Sequence, residues 1–423
     1  MAPVLMSADL PAPAVEAVAA VLALVLISRG SFRRRLTLSL FDHAPDLAAA
    51  AMAGTGAAVA VSALGGVVRE PRALAVLGGG LLVALTISRA VGMAVQRWGR
   101  RRGMLSRRTL IVGCGDMGDR LAGVLTRFPR YGLSLAGFVD DHPLLPVDQR
   151  RAPLLGGLRE LPALIADEGI DVIVVAFSSD PELAAVDVLR RCNGAAVDIL
   201  VVPRFYELHA SARDGNCLHG VPLVRLAPLP QHRASWPLKR LVDVTAATVG
   251  LLVGAPLMAA CALAIRLEGG PGVLFRQERI GLGGRPFTLY KFRSLKPVDD
   301  AEAATRWNVA DDDRLGAVGR LLRRLSIDEL PQLWNVLRGD MSLVGPRPER
   351  PHFVDRFSLE HEEYPWRHRV PAGLTGWAQV NGLRGNTDIR DRARFDNYYV
   401  ENWSLWLDLQ IVCRTVRELA RGA

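Results

Sequence analysis

Two adjacent carboxylates, Asp328 and Glu329, stand in the run Ser326-Ile327-Asp328-Glu329-Leu330-Pro331-Gln332. Neighbouring acids can divide the work of phosphoryl transfer. One attacks phosphorus to give an acyl phosphate, while the other holds a magnesium ion that neutralises a diphosphate. A structural reading stands beside this one, because Ser326 followed three positions later by Glu329 is a capping box, and acids in a first helical turn complement the helix dipole. Both readings place the pair at the N-terminus of a short helix, where an ionised carboxylate is favoured.

Phosphate-binding cations lie on either side of the pair. In Tyr290-Lys291-Phe292-Arg293-Ser294 the basic residues alternate with aromatic ones. On a half-buried strand that alternation sends Lys291 and Arg293 to one side, and a solvated strand face is the plainer alternative. Arg347 sits between two prolines in Val344-Gly345-Pro346-Arg347-Pro348-Glu349. The prolines restrict the backbone enough to hold a guanidinium against phosphate at reduced entropic cost, although a simple proline-rich turn has the same pattern. No Walker lysine loop, HExxH pair or nucleophile elbow accompanies these residues, which excludes the chemistries those motifs serve.

Positioning such groups takes more than one domain, since 423 residues exceed a single hydrophobic core. Apolar residues make up 50% of the chain and the mean hydropathy is positive, so part of it is expected in lipid. Three apolar stretches come first, Ala12 to Ile27, Leu47 to Val68 and Ala73 to Val95; the latter two approach the roughly 20 residues that cross a bilayer core. The first is shorter but lacks a preceding basic residue and a convincing cleavage site, so it reads as a membrane helix. Arg29, Arg33, Arg34 and Arg35 follow the first stretch, and Arg97, Arg100, Arg101, Arg102, Arg107 and Arg108 follow the third. Both loops are therefore expected in the cytoplasm, with the N-terminus outside.

From Thr109 the pattern becomes strand, glycine turn and helix. Thr109 to Val112 leads into Gly113-Cys114-Gly115-Asp116-Met117-Gly118, followed by Leu121 to Leu125 at helical spacing. A second strand, Leu135 to Val139, ends at Asp140 and Asp141, and the apolar runs Val172 to Phe177 and Val197 to Val202 continue a parallel Rossmann-like α/β pattern to about Pro230. Gly113, Gly115 and Gly118 could admit a pyrophosphate to the backbone, with an acid on a ribose hydroxyl. A structural or regulatory module is the alternative, because no Tyr-x-x-x-Lys or other hydride-transfer group follows.

Residues 238–266 are again long enough to span. Gly254-Ala255-Pro256 interrupts them, and Lys239, Arg240 and Arg266 flank them. Proline bends a helix, so a re-entrant helix breaking at Pro256 and returning to the cytoplasmic face is expected, against a straight span that would carry the remainder outside. The net charge is +9, and only three of the 52 basic residues are lysine, Lys239, Lys291 and Lys296. Arginine suits phosphates and anionic headgroups. The five cysteines, Cys114, Cys192, Cys217, Cys261 and Cys413, show neither zinc-site nor disulfide spacing.

The region from Lys239 onward resembles the bacterial sugar transferase family, the monotopic phosphoglycosyl transferases. The matching motifs are Lys239-Arg240-x-x-Asp243, Pro271-Gly272, Lys291-Phe292-Arg293-Ser294, Leu325 to Gln332, Gly339 to Pro348, and Gly373-Leu374-Thr375-Gly376-Trp377-Ala378-Gln379-Val380-Asn381-Gly382. The upstream arrangement is similar to the large subgroup, in which membrane helices and a Rossmann-like domain precede the catalytic region. Tyr398 to Asp408 looks like the polyprenyl glucosephosphotransferase branch.

The resemblance implies that Asp328 is the nucleophile, that Glu329, beside Asp328, carries magnesium, and that Lys291, Arg293, Arg347 and Gln379 bind the substrate phosphates. It further implies a UDP-sugar, with glucose favoured, and undecaprenyl phosphate as substrates. The lipid bilayer of the bacterial inner membrane would be a partner, nucleic acid would not, and the catalytic domain would face the cytoplasm, with homo-oligomerisation open. The expected fold is a membrane α/β protein with transmembrane helices at 12–98, a Rossmann-like domain at 105–230 and a monotopic catalytic domain at 231–423. Two departures stand out: the family's large members usually show four N-terminal spans, and Ala255 and Leu295 replace its usual serine and methionine. Two other readings remain at this point, a membrane-tethered NAD-dependent nucleotide-sugar dehydratase or epimerase, and a non-catalytic scaffold for polysaccharide assembly. An apolar stripe of Leu405, Trp406, Leu409, Val412, Val416 and Leu419 closes the chain, suited to core packing or to a membrane interface.

Overall fold

The computed structural model describes residues 12–31, 35–65, 70–178, 182–192, 197–208, 216–268, 272–294, 316–383, 385 and 387–420. Arg33, Arg34, Pro271, Leu295 and Lys296 lie outside them. The chain forms two compact units, Met1–Leu226 and Ala227–Ala423.

The first unit opens with α1 (Ala12–Ser28), α2 (Ala44–Leu64) and α3 (Pro71–Arg101). Val18 and Leu22 of α1 meet Leu47, Ala50 and Ala58 of α2 and Leu77 and Leu81 of α3. Most other apolar residues of these helices face outward, as lipid-facing helices require. Three helices are long and apolar enough to cross a membrane, Phe41–Leu64, Pro71–Arg101 and, in the second unit, Trp236–Leu267; Ala12–Ser28 is shorter.

The chain then runs through β1 (Arg107–Val112), α4 (Asp116–Arg127), β2 (Leu133–Val139), β3 (Leu154–Gly156), α5 (Leu161–Asp167), β4 (Val172–Val175), α6 (Glu182–Cys192), β5 (Asp198–Val201), β6 (Cys217–Leu218), β7 (Val221–Pro222) and β8 (Val224–Arg225). One sheet has the order β3-β2-β1-β4-β5-β8. The central β4 reads as an unbroken apolar run, as does β1 from Leu110 to Val112, because cores cover both faces, one containing Leu121 and Leu125 of α4, the other Leu161 of α5 and Leu189 of α6. The sheet is not wholly parallel, since β8 pairs antiparallel with β5. The β6–β7 hairpin turns the chain back before β8, too short a connection for a parallel crossover.

The second unit starts with α7 (Trp236–Leu267), which is helical without interruption through Pro256. Pro256 therefore does not break the helix as expected: a proline removes one i→i−4 bond, and the bonds on either side sustain the run. Apolar residues along α7 are exposed, Leu252 and Val253 by 71% and 76%. After α7 come the antiparallel pair β9 (Leu274–Ile280) and β10 (Pro286–Phe292), α8 (Ala317–Arg324), α9 (Gln332–Arg338), β11 (Met341–Val344), α10 (Pro351–Glu360), β12 (Ala372–Thr375), α11 (Trp377–Val380), α12 (Ile389–Asn402) and α13 (Leu405–Ala420). Strands β11 and β12 pair in parallel. Ala247 of α7, Leu289 of β10, Val336 of α9, Met341 of β11 and Ala372 of β12 share one core. Within it the buried Asn335 carboxamide accepts from the Tyr290 amide at 3.1 Å and donates to the Thr288 carbonyl at 2.7 Å, fastening α9 to β10.

A buried charge cluster joins the first turns of α7 and α13. Lys239 Nζ lies 2.7 Å from Asp408 Oδ2 and 3.6 Å from Asp243 Oδ1. The Tyr399 hydroxyl and the Trp403 indole also donate to Asp408, and the Ser342 hydroxyl donates to Asp243. The terminal helix packs inward through Leu407 and Ile411. Its sequence stripe turns outward instead, with Trp406, Leu409 and Val416 at least half exposed.

Candidate active site

Asp328 and Glu329 occupy a short 3-10 turn, Ile327–Glu329, between α8 and α9. The capping box does not form: Ser326 adopts left-handed φ = 55° and its side chain makes no cap bond. Glu329 is drawn elsewhere. Its Oε1 accepts from Lys291 Nζ at 2.6 Å and from Arg347 Nη2 at 2.8 Å, charge-assisted bonds that outcompete a neutral backbone amide. Asp328 is buried beside them.

The electrostatics separate the two acids. Burial raises the Asp328 pKa; Lys291 opposes this and the Glu329 charge adds to it. Burial also pushes Glu329 upward, but the charges and hydrogen bonds of Arg347 and Lys291 outweigh it and hold that carboxyl well below its ordinary range. Burial lowers the Lys291 pKa against the pull of Glu329. One acid is thus firmly ionised and spoken for, while the other is poised and carries no hydrogen bond among the described residues.

Arg347 is held mainly through its backbone. Gly345 N donates to Thr375 O and Gly373 N to Pro346 O, at 2.9 and 2.8 Å. Arg279 donates to Pro348 O at 3.0 Å, and Arg367 to Arg347 O at 2.9 Å. Arg367 is itself fully buried, paired to Asp396 at 2.6 Å and donating to the Tyr364 hydroxyl.

The tertiary structure thus assembles Asp328, Glu329, Lys291 and Arg347. It places Arg293 against Gly272, with Nη1 buried and without a hydrogen-bond partner among the described residues. Gln379 lies within α11, donating to Leu374 O at 3.3 Å, with a buried Oε1 that likewise has no such partner. Among the described residues, neither hydrogen-bonds Glu329.

Comparison with known proteins falls on these elements. A family model described as bacterial sugar transferase matches residues 234–422, and one described as CoA-binding domain matches residues 47–203. The UDP-glucose:undecaprenyl-phosphate glucose-1-phosphate transferase of Escherichia coli (strain K12) is 33% identical over 341 residues, which are 79% of this chain and 72% of that protein. This chain belongs to the bacterial sugar transferase family. The protein of the same name from Caulobacter vibrioides is 50% identical over 185 residues, 43% of this sugar transferase and 69% of the relative. The undecaprenyl-phosphate glucose phosphotransferase of Komagataeibacter xylinus is 38% identical over 355 residues, 80% of this chain but 63% of the relative's own length.

Several residues of the candidate site escaped sequence reasoning. Arg323 acts electrostatically on Asp328 and its Nε donates to Ser294 Oγ at 2.9 Å. Its place near the end of the amphipathic α8, one turn before the acids, was the available signal. Arg279, Arg367 and Asp396 gather at the Pro-Arg-Pro turn from three separate segments, Arg279 also pairing with Glu349 beside the turn, and no local spacing announces such a set.

Proposed function

We propose that this chain transfers a sugar 1-phosphate from a UDP-sugar to undecaprenyl phosphate, releasing UMP, with glucose supported as the sugar by the names of its relatives. The observation that carries this reading is a poised, buried carboxylate, Asp328, beside a second acid that gathers Lys291 and Arg347. Phosphoryl transfer needs positioning and charge neutralisation more than covalent machinery, and this cluster supplies both.

Asp328 attacks the phosphorus attached to the sugar. The bond from that phosphorus to the bridging oxygen breaks, and UMP leaves with the electron pair. A phosphate oxygen of undecaprenyl phosphate then attacks the same phosphorus and expels the Asp328 carboxylate, giving a polyprenyl diphosphosugar. Burial serves the first step, because a poorly solvated carboxylate loses less on leaving water. Lys291 and Arg347 neutralise the diphosphate oxygens, with Arg293 and Gln379 proposed to meet other parts of the substrate through their unpartnered atoms.

Magnesium fits this site. Glu329 Oε2 and the Asp328 carboxylate have no hydrogen-bond donor among the described residues, and magnesium commonly takes one or two carboxylates, retaining waters and substrate phosphates for the rest. Bound there by Glu329 and Asp328, it would supply charge neutralisation to the diphosphate.

We place the protein in the bacterial inner membrane with the second unit facing the cytoplasm, where nucleotide sugars reside. Arg240 and Arg266, basic residues near both ends of α7, support a course that returns both ends to the cytoplasmic face. The exposed Trp406, Leu409 and Val416 support α13 lying in the interface. The test supplies UDP-glucose, undecaprenyl phosphate and magnesium and measures UMP. Release by the wild type and almost none by Asp328→Asn is expected; a fully active variant overturns the reading.

A further inference from the structure

The glycine turn of the first unit has the sequence of a pyrophosphate loop, and residues 47–203 match a family model described as a CoA-binding domain. We infer that in this chain the six-stranded domain is a closed structural mount for the membrane helices and receives neither a dinucleotide nor coenzyme A.

A pyrophosphate at such a turn is held by free backbone amides at the helix N-terminus, with the acid after the second strand on a ribose hydroxyl. Here the Cys114 amide and the acid after the second strand are spent on each other. The Cys114 amide donates to Asp140 Oδ2 at 2.5 Å, and Asp140 Oδ1 accepts from the His142 amide and the Ser178 hydroxyl at 3.0 and 3.1 Å. Of the two candidate acids, Asp140 is 4% exposed and sealed beneath the turn, and the exposed Asp141 accepts from the Leu158 amide at 3.0 Å. The Cys114 carbonyl accepts from the amides of Leu144 and Leu145, both at 3.1 Å, and the Leu144 side chain lies against Gly115. Residues 140–145 therefore form a strap across the loop.

Charge acts in the same direction. Asp116 and Asp119 occupy the first turn of α4, where a diphosphate would need positive potential. The neighbouring arginines are already engaged, Arg150 with Leu145 O at 2.9 Å and Arg151 with Asp119 at 3.0 Å. The glycines have another use. Gly113 has φ = 103°, and a Cβ there would sit 2.7 Å from Phe177 O, while a Cβ on Gly118 would strike the Gly113 carbonyl. They let α4 close on the sheet.

What the domain does hold is the membrane region. Leu36, from the loop between α1 and α2, lies in the same core as Ile111, Leu121 and Phe138. Arg100, at the end of α3, donates to Leu36 O and Arg35 O, both at 2.7 Å, and to Arg130 O at 3.3 Å. The α1–α2 loop and the end of α3 are thereby built into the domain.

The experiment uses the full chain in lipid nanodiscs. Isothermal titration with NADH, NADPH and coenzyme A is expected to show no saturable heat at concentrations up to about 1 mM. Saturable binding in that range, weakened by Asp140→Asn, overturns the inference. In parallel, Arg100→Ala is expected to increase hydrogen exchange in residues 107–112 and 128–133 relative to the wild type. Unchanged exchange there overturns the mount, and neither readout depends on transferase activity.

Discussion

Lys291 and Arg347 donate to the same oxygen, Glu329 Oε1, at 2.6 and 2.8 Å, although 56 residues separate them in the chain. Glu329 is thus the internal counterion of both cations proposed to bind phosphate. A diphosphate that engages Lys291 and Arg347 must compete with it. Glu329→Gln is therefore expected to tighten metal-free UDP binding about tenfold, by removing that competitor, while abolishing magnesium-dependent turnover. Titration of UDP in the presence of a chelator reads this directly; weaker binding by the variant would show that the cations need Glu329 to hold their positions.

Asp328→Asn is expected to lower UMP release by at least about a thousandfold while leaving UDP affinity within about threefold, as for loss of a group that acts in the chemical step alone. Mass spectrometry after brief mixing with donor provides a second measurement. A sugar phosphate on the peptide containing Asp328 is expected for the wild type, and its absence from the variant.

The acid limb of the rate profile tests the electrostatics. Burial raises Asp328 and Lys291 opposes that rise, so ionisation, and with it the rate, should be lost as pH falls through a value above the ordinary carboxylate range. Lys291→Met removes the opposing charge and is expected to move that limb to higher pH, in addition to slowing turnover. A limb that stays in place, or moves down, counts against Asp328 as the titrating group.

Arg367 fixes the Arg347 backbone while touching no proposed substrate atom. Replacing it with methionine leaves Asp396 buried and unpaired, a loss on the order of 3–5 kcal/mol. Arg367→Lys keeps the charge but not the fork that reaches both Asp396 and the Arg347 carbonyl. It is expected to fold and to lose about tenfold in kcat/KM for the UDP-sugar. Wild-type kinetics in that folded variant would show that the prolines alone hold Arg347.

His368, beside Arg367, has its pKa lowered to about 3 by burial and by the Arg367 charge. The unfolded chain, with histidine near 6.5, binds more protons below that value, so this group's contribution to stability is complete above pH 6.5 and declines toward pH 3. His368→Gln is expected to flatten the fall in melting temperature across that window. An equally steep fall assigns the acid sensitivity to other groups.

The sequence by itself determined which chemistry was available. The apolar runs at Val172 and Val197 became strands, the long apolar segments became helices, and the Asp-Glu pair, Lys291 and Arg347 were all recognisable, because local periodicity and residue type survive any packing. Only the tertiary structure decided what each group touches. It set Glu329 against two cations rather than on a helix cap, carried helix α7 through Pro256, turned Asp140 inward beneath the glycine loop, and placed Arg367 and Asp396 under a turn distant in sequence. Those outcomes depend on competition between burial and charge among segments far apart in the chain, and no local spacing encodes such a competition.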